Sequence, residues 1–310
     1  MSSVREWRLH LGAHKTATTH LQHSLTRHRE ALAEQGVDYL PMEQVRRLGL
    51  FRHQGRRRWR VRLGGPMRRR IEALVAPLRL GPDRLAISEE NFLGLSPDLL
   101  RGAFYPKAEW NLATFGSLSG GRRELRLFLS VRSFETLLPS AYVQTLRGMP
   151  FPGGFGPVKA ATLNRPPSWA ELAARIRRTL PQARLHLWTF EDYGAHDREI
   201  LARFVGAEIP AGEPLPPPPS TRSPSSRAIA EMEKLEDGLG YLDRTRAAAE
   251  IAARDTERGG GERFAPFSDA ERALLQEAYA EDLARIEADH PGTLLRLSEP
   301  ELSQESSVGA

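Results

Sequence analysis

The chain has 310 residues, of which 40% are hydrophobic and 27% are charged, a composition typical of a packed globular protein and unlike that of a disordered chain. It contains no cysteine, which excludes disulfides, thiolate metal sites and a cysteine nucleophile. The formal net charge is +5, and an excess of arginine over lysine suits planar anionic partners such as phosphate, sulfate or carboxylate.

Strand-like and helical patterns alternate along the first two thirds of the chain. Five extended runs, bounded by turn-forming or charged residues, are predicted as strands at Trp7 to Leu11, Val37 to Leu40, Arg84 to Ser88, Leu125 to Val131 and Arg184 to Phe190. Helical spacing follows several of them, for example at Leu21, Leu25 and Leu32, at Trp169 to Leu180 and at Ala195 to Val205. This alternation predicts an α/β fold, with a parallel sheet flanked by helices.

Two stretches rich in Gly or Pro interrupt these patterns. The stretch from Gly148 to Pro157, in the middle of the chain, predicts a loop, and Pro214 to Pro219, followed by serines, predicts a linker or a loop over the domain. Three further helices are predicted at Ser226 to Glu236, Tyr241 to Arg254 and Ser268 to Asp289, covering one side of the sheet. We therefore predict one domain over residues 1–297, helical from about residue 226, and a disordered tail at 298–310.

No targeting or membrane segment is apparent in the sequence. The N-terminal residues lack an apolar signal-peptide core, and no run approaches the roughly 18 apolar residues that suggest a membrane span. We therefore expect a cytoplasmic protein without a membrane span.

The first chemically suggestive stretch is LHLGAHKTATTHLQ, between a strand and the start of a helix. Backbone amides at a helix start, one lysine and several hydroxyls together favour an anion, so we predict a phosphate cradle made by Gly12, Lys15, Thr16, Thr18 and Thr19. The standard P-loop of nucleotide triphosphatases is disfavoured, because Ala17 stands where its second glycine would be. A purely structural interpretation has the threonines capping the helix and the lysine solvated.

The second stretch is VRSFETLLPSAYVQ, in which Arg132 ends a strand and Ser140 follows eight positions later, about two helical turns on. A guanidinium binds phosphate oxygens through paired N–H donors, and a serine hydroxyl provides one more donor. Arg132 and Ser140 could therefore bind one anion in a shared crevice. For this stretch taken alone, the better interpretation has Arg132 as a strand-end salt-bridge partner and Ser140 as a helix-packing residue.

Together, the two stretches resemble the motifs of the PAPS-dependent sulfotransferases, where PAPS is 3′-phosphoadenosine 5′-phosphosulfate. H-K-T-A-T-T is similar to the family's 5′-phosphosulfate loop, K-[ST]-G-T-T, and we expect Ala17, in place of glycine, to be tolerated only if its φ is below zero. The family's R-[DNS]-P-x-x-x-x-x-S-x-Y is matched at Arg132, Ser140 and Tyr142, with Phe134 in place of proline. A weaker similarity, LWTFEDY at 187–193, concerns the fold.

The resemblance, over roughly residues 7 to 205, implies a P-loop NTPase-like sulfotransferase fold with PAPS as co-substrate and no metal. It further implies that the 3′-phosphate is held by Arg132 and Ser140, and that the 5′-phosphosulfate is held by Gly12, Lys15, Thr16, Ala17, Thr18 and Thr19.

Sulfuryl transfer builds negative charge on the departing oxygen and requires a base at the acceptor hydroxyl. Lys15 is the candidate for stabilising the leaving phosphate. Glu89, with Glu90 beside it, is the candidate base, because both follow a strand's end and because glutamates act in a comparable place in sugar-specific members of the family. His14 is the competing candidate, and a solvated acidic turn is the structural alternative.

The predicted function is transfer of a sulfuryl group from PAPS to an acceptor hydroxyl of a carbohydrate or another small polar molecule. The arginine cluster between residues 46 and 70 reads either as a groove for an anionic glycan or as a solvated insertion. Two alternatives stay open: a P-loop type kinase, for which no Walker B strand ending in Asp is evident, and a basic nucleic-acid-binding protein, for which no specific recognition motif is present.

Overall fold

The structure, a computed structural model, describes residues 4–47, 64–76, 84–100, 104–119, 123–210 and 224–298. Its centre is a sheet of five strands: β1 (Glu6–His10), β2 (Val37–Leu40), β3 (Arg84–Ser88), β4 (Glu124–Val131) and β5 (Arg184–Thr189). The strands are all parallel and follow the order β2-β3-β1-β4-β5. The predicted α/β fold with a parallel sheet flanked by helices is confirmed at this level.

Twelve α-helices occur in the described residues. They are α1 (Thr18–Arg27), α2 (Arg29–Glu34), α3 (Met42–Arg47), α4 (Gly64–Val75), α5 (Ala108–Leu112), α6 (Phe134–Gly148), α7 (Gly156–Asn164), α8 (Trp169–Thr179), α9 (Phe190–Val205), α10 (Ser226–Glu233), α11 (Tyr241–Glu257) and α12 (Asp269–Asp289). None of the helices in this described part is long and apolar enough to cross a membrane.

The two faces of the sheet carry separate hydrophobic clusters, because its strands are apolar on both sides, as parallel strands usually are. One cluster joins Phe128 and Trp188 to Leu21 and Leu25 of α1 and to Phe204 of α9. The other cluster, larger, lies on the opposite face and includes residues of α6, α8 and the three C-terminal helices. Those helices pack against α6 and α8 and so form an outer layer.

The strand order places the crevice of the sheet between β1 and β4. The chain leaves β1 toward one edge through β2 and β3, and then crosses back to β4 on the other side of β1. In open parallel sheets, ligands bind outside the carboxyl ends of the strands where the order reverses in this way. The turns after His10 and after Val131, which carry the two motifs, meet at this point.

Several helices and one strand-like contact were not predicted. α7 begins inside the expected loop from Gly148 to Pro157, where Pro157 occupies the first turn of the helix, a position that suits proline. The backbone near Leu294 pairs with the edge of β5, since the Leu187 N–H donates to the Thr293 carbonyl at 2.8 Å. The predictions for Pro214 to Pro219 and for the tail after Ser298 lie outside the described residues.

Candidate active site

The turn after β1 is a compact loop whose backbone visits the left-handed region three times, at Gly12 (φ 51°), Lys15 (φ 64°) and Ala17 (φ 62°). The Thr16 hydroxyl donates to the Ala13 carbonyl at 2.6 Å, so that the loop closes on itself. α1 then begins without a side chain hydrogen-bonded to its first amides. Unpaired amides at a helix start are donors for an anion.

Gly12 is required in this loop for two reasons. Its φ is positive, and a Cβ at this position would lie 2.8 Å from the Glu90 Cα and 3.0 Å from the Glu90 nitrogen, both backbone atoms. The loop after β1 therefore contacts the end of β3 at backbone distance, and only glycine fits this approach.

Ala17 does not meet the condition, φ below zero, under which we expected an alanine to be tolerated here. Ala17 is the N-cap residue of α1 and adopts φ 62°, ψ 18°, a left-handed conformation. For a residue with a Cβ this conformation costs roughly 1–2 kcal/mol, whereas glycine adopts it freely. The turn into the helix demands this geometry, which accounts for glycine at the equivalent place in the motif that the loop resembles.

The two motifs line a single cavity of about 740 Å³ at the carboxyl ends of β1 and β4, a size typical of small-molecule sites. From the first motif come Lys15, Thr16, Ala17, Thr18 and Thr19, and from the second Arg132 and Ser140. Gly12 is not among the lining residues and acts through the backbone approach described above. The structure therefore brings most of the predicted anion-binding residues to one place.

Arg132 connects the two motifs directly. Its Nη1 donates to the Lys15 carbonyl at 2.6 Å and its Nε to the Thr136 hydroxyl at 3.0 Å, while its Cζ lies 4.2 Å from the centroid of the Phe190 ring. Burial lowers the pKa of Arg132 and the nearby Glu191 carboxylate opposes this shift; the group stays charged because an arginine pKa is so high. Its remaining N–H groups are free to bind an anion.

Ser140 lies on α6, half-buried, with its side chain at the cavity. Tyr142, the other residue matched in the second motif, does not line the cavity. It is buried, and its hydroxyl donates to the Glu233 carboxylate. Tyr142 therefore has a packing role between α6 and α10.

Lys15 and Glu90 bring opposite charges to the same cavity. The Lys15 side chain is exposed, but to a concave site, and its reduced hydration lowers its pKa; the positive charges of Arg147 and Arg132 lower it further. Burial of the half-buried Glu90 raises its pKa, and the charge of Glu89 adds to the shift. A carboxylate of raised pKa is a better proton acceptor near neutral pH.

Glu89 occupies a different environment from Glu90. Its side chain is fully buried and does not line the cavity. Arg46 of α3 donates from Nε and Nη2 to the two Glu89 oxygens, at 2.9 and 3.0 Å, and Asn91 donates to Glu89 Oε1 from its backbone N–H at 3.1 Å and its side-chain amide at 2.9 Å. Because its oxygens already accept four hydrogen bonds, Glu89 is suited to hold the end of β3 in place.

His14 is also removed from the cavity lining. It is buried, and its backbone nitrogen and its Nδ1 both lie 3.1 Å from the Tyr105 hydroxyl. The hydroxyl accepts from the backbone N–H, and the direction of its second hydrogen bond, with Nδ1, depends on the tautomer of the ring. Burial lowers the pKa of His14 to about 4, so the ring is neutral at physiological pH.

The sequence did not single out part of the cavity wall. Arg147 of α6 lines it, and the C-terminal part of the chain contributes further residues, namely Pro224, Arg263, Phe264, Ala265, Pro266, Phe267 and Arg272. Arg147 follows Ser140 by seven residues, a helical spacing that identifies it as sharing Ser140's face. No comparable signal marks Arg263 or Arg272, which reach the cavity through the tertiary fold.

Only part of the arginine cluster can be placed. Arg46 pairs with Glu89, and Arg47 and Arg69 are exposed. The predicted roles of Arg52, Arg56, Arg57, Arg58, Arg60 and Arg62 lie outside the described residues. In the part that is described, no group of three or more His, Asp or Glu side chains is arranged to hold a metal ion.

In comparisons with known proteins, no family model, curated protein or solved structure matches the chain significantly. The functional conclusion therefore depends on the geometry and chemistry of this cavity.

Proposed function

We propose that this protein is a sulfotransferase that moves a sulfuryl group from PAPS to an acceptor hydroxyl. The observation that supports it most is the convergence of both motifs on one cavity, where Arg132 of the second motif donates to the Lys15 carbonyl of the first. A donor with a phosphate at one end and a phosphosulfate at the other requires two linked anion sites. The parallel sheet, with the loop after its central strand, is compatible with a P-loop NTPase-like sulfotransferase fold.

The charges at the cavity suit such a donor. Among the described residues, five basic side chains line it and only two acidic ones, Glu90 and Glu135. In the proposed complex, Arg132 and Ser140 bind the 3′-phosphate, and Lys15, Thr19 and the amides at the start of α1 bind the 5′-phosphosulfate.

In the proposed reaction, the acceptor oxygen attacks the sulfur atom while Glu90 takes the hydroxyl proton. The bond between sulfur and the bridging oxygen breaks, and its electron pair stays with the phosphate of the departing 3′-phosphoadenosine 5′-phosphate (PAP). Lys15 stabilises the negative charge that develops on that oxygen. The products are a sulfated acceptor, PAP and a protonated Glu90.

Glu90 is preferred to Glu89 as the base on the geometry of the site. Glu90 faces the cavity that Lys15 also lines, and its raised pKa favours proton uptake. Glu89 is bonded to Arg46 and Asn91 and would have to give up these contacts to reach a substrate. His14 is buried, is not among the cavity-lining residues, and has its Nδ1 bonded to the Tyr105 hydroxyl.

A transfer assay with [35S]PAPS and a panel of phenols, monosaccharides and oligosaccharides tests the proposal. We expect transfer to at least one acceptor, and we expect Lys15→Ala to lower turnover by roughly 10²–10³-fold while PAP still binds. Lys234→Ala, which removes an exposed lysine outside the cavity, is the matched control. Magnesium-dependent transfer of the γ-phosphate from ATP, with none from PAPS, would contradict the proposal and favour the kinase alternative.

A further inference from the structure

Arg147 is a charged side chain for which the proposed donor site has no use. It is half-buried and lines the cavity, yet within the described residues its guanidinium has no hydrogen bond or ion pair, and burial is the one influence on its lowered pKa. A guanidinium withdrawn from water without a partner is unfavourable, and a bound anion removes this cost. The side chain is therefore available to a ligand.

The position of Arg147 on α6 separates it from the 3′-phosphate clamp. Arg147 follows Ser140 by seven positions, two helical turns or about 10 Å along the axis, and both residues lie on one face. Val143 and Gln144, between them, line the cavity as well. Ser140, Val143, Gln144 and Arg147 thus form a continuous stripe on α6. The stripe begins at the proposed 3′-phosphate site and ends at the unpaired guanidinium of Arg147.

The far end of this stripe lines the same cavity as Lys15 and Glu90, the residues at which the proposed transfer takes place. Arg147 is close enough to Lys15 that its positive charge contributes to the lowered pKa of the lysine. Glu90, the proposed base, also acts electrostatically on Lys15 from within this cavity. The acceptor hydroxyl must reach Glu90, so the acceptor passes close to Arg147.

We infer that Arg147 binds an anionic group of the acceptor, so that the hydroxyl being sulfated belongs to a molecule that already carries a carboxylate or a sulfate. This inference rests on the proposed function and names the chemical class of its second substrate. A guanidinium recognises both groups through paired N–H donors. Arg147 would then determine acceptor specificity, while Arg132 and Ser140 hold the donor.

Binding measurements on the protein saturated with PAP test this inference without requiring turnover. The probes are three pairs of hydroxyl compounds that differ in one anionic group: methyl β-D-glucuronide and methyl β-D-glucoside, galactose 6-sulfate and galactose, and 4-hydroxyphenylacetate and 4-hydroxyphenylacetamide. By isothermal titration, we expect the anionic member of at least one pair to bind roughly 10- to 100-fold more tightly than its neutral partner.

Substitution of Arg147 should remove this discrimination selectively. In Arg147→Gln the ratio of affinities within the pair should fall to about one, and Arg147→Lys should restore part of it, as expected for a charge-based preference. Arg246→Gln removes the same charge from an exposed position outside the cavity and should behave as the unaltered protein. PAP affinity should change less than about threefold in all of these variants.

Three results would overturn the inference: no pair shows a preference for its anionic member, the preference survives in Arg147→Gln, or that variant loses tenfold or more of its PAP affinity, which would assign Arg147 to the donor. Failure of the unaltered protein to bind PAP is a separate result, and it would overturn the proposed function itself.

Discussion

Substitution of Glu89 and Glu90 by glutamine should produce opposite effects, although the two residues are neighbours in the chain. Glu89→Gln replaces the two-bond ion pair with Arg46 by at most one hydrogen bond from the guanidinium to an uncharged amide oxygen. The new amide group also points its N–H donors at donors of Arg46 or Asn91. Hydrogen bonds to charged groups contribute about 1.5–3 kcal/mol each, but Arg46 is 44% exposed and water compensates part of the loss. We expect a decrease of about 2 kcal/mol in the free energy of unfolding.

Glu90→Gln removes a half-buried negative charge that its surroundings disfavour, as its raised pKa indicates. The free energy of unfolding should therefore stay unchanged or increase slightly. Turnover with PAPS should fall roughly 10²–10⁴-fold, the usual contribution of a general base, and PAP affinity should change little.

Urea unfolding followed by tryptophan fluorescence gives the stability of both variants, and the [35S]PAPS assay gives their turnover. The assignment would be refuted if Glu90→Gln kept both its turnover and its stability while Glu89→Gln stayed stable but lost its turnover. Glu89 would then be the base. Loss of turnover in Glu89→Gln counts against the assignment only if the variant is as stable as the unaltered protein, because a displaced β3 end would also disturb Glu90.

Three further predictions concern the framework of the site and its pH dependence. The buried Arg244 donates to the carbonyls of Leu146, Met232, Leu235 and Glu236 at 3.0 to 3.3 Å. Arg244→Met should therefore lower the free energy of unfolding by about 3 kcal/mol, whereas Arg246→Met, at an exposed position, should lower it by less than about 0.5 kcal/mol. Equal decreases in the two variants, measured by urea unfolding, would contradict this prediction. Gly12→Ala should cost at least about 2 kcal/mol and weaken PAP binding, whereas Gly194→Ala, where an added Cβ meets nothing within 4 Å, should stabilise α9 by about 0.5–1 kcal/mol. Because Glu90 acts as a base only when deprotonated, kcat/KM should decline as pH falls through its raised pKa, and a pH profile of Glu90→Gln that keeps this acidic limb would rule the residue out.

The sheet could be predicted because its signals are local. The five strands are short apolar runs that end at a turn or a charge, and all five lie within two residues of their expected bounds. A parallel sheet aligns the carboxyl ends of its strands. Because β1 and β4 are neighbours, the turns at Gly12 and Arg132 necessarily lie next to each other. The candidate anion site follows from this alignment.

The features that the sequence did not provide depend on backbone conformation or on distant residues. Neither the left-handed conformation of Ala17 nor the start of α7 at Gly156 follows from composition, because glycine and proline mark loops and helix starts alike. The difference between Glu89 and Glu90 arises from Arg46, which lies 43 residues earlier in the chain. Arg263 and Arg272 reach the cavity only through the packing of the C-terminal helices.

The most direct test of the central claim is isothermal titration of the protein with PAP, AMP and ATP in the absence of magnesium. If Arg132 and Ser140 bind the 3′-phosphate as proposed, PAP should bind about 100-fold or more tightly than AMP, a difference of about 2.7 kcal/mol, and ATP should bind weakly. Equal affinities for PAP and AMP would contradict the account, because the 3′-phosphate would then contribute nothing to binding.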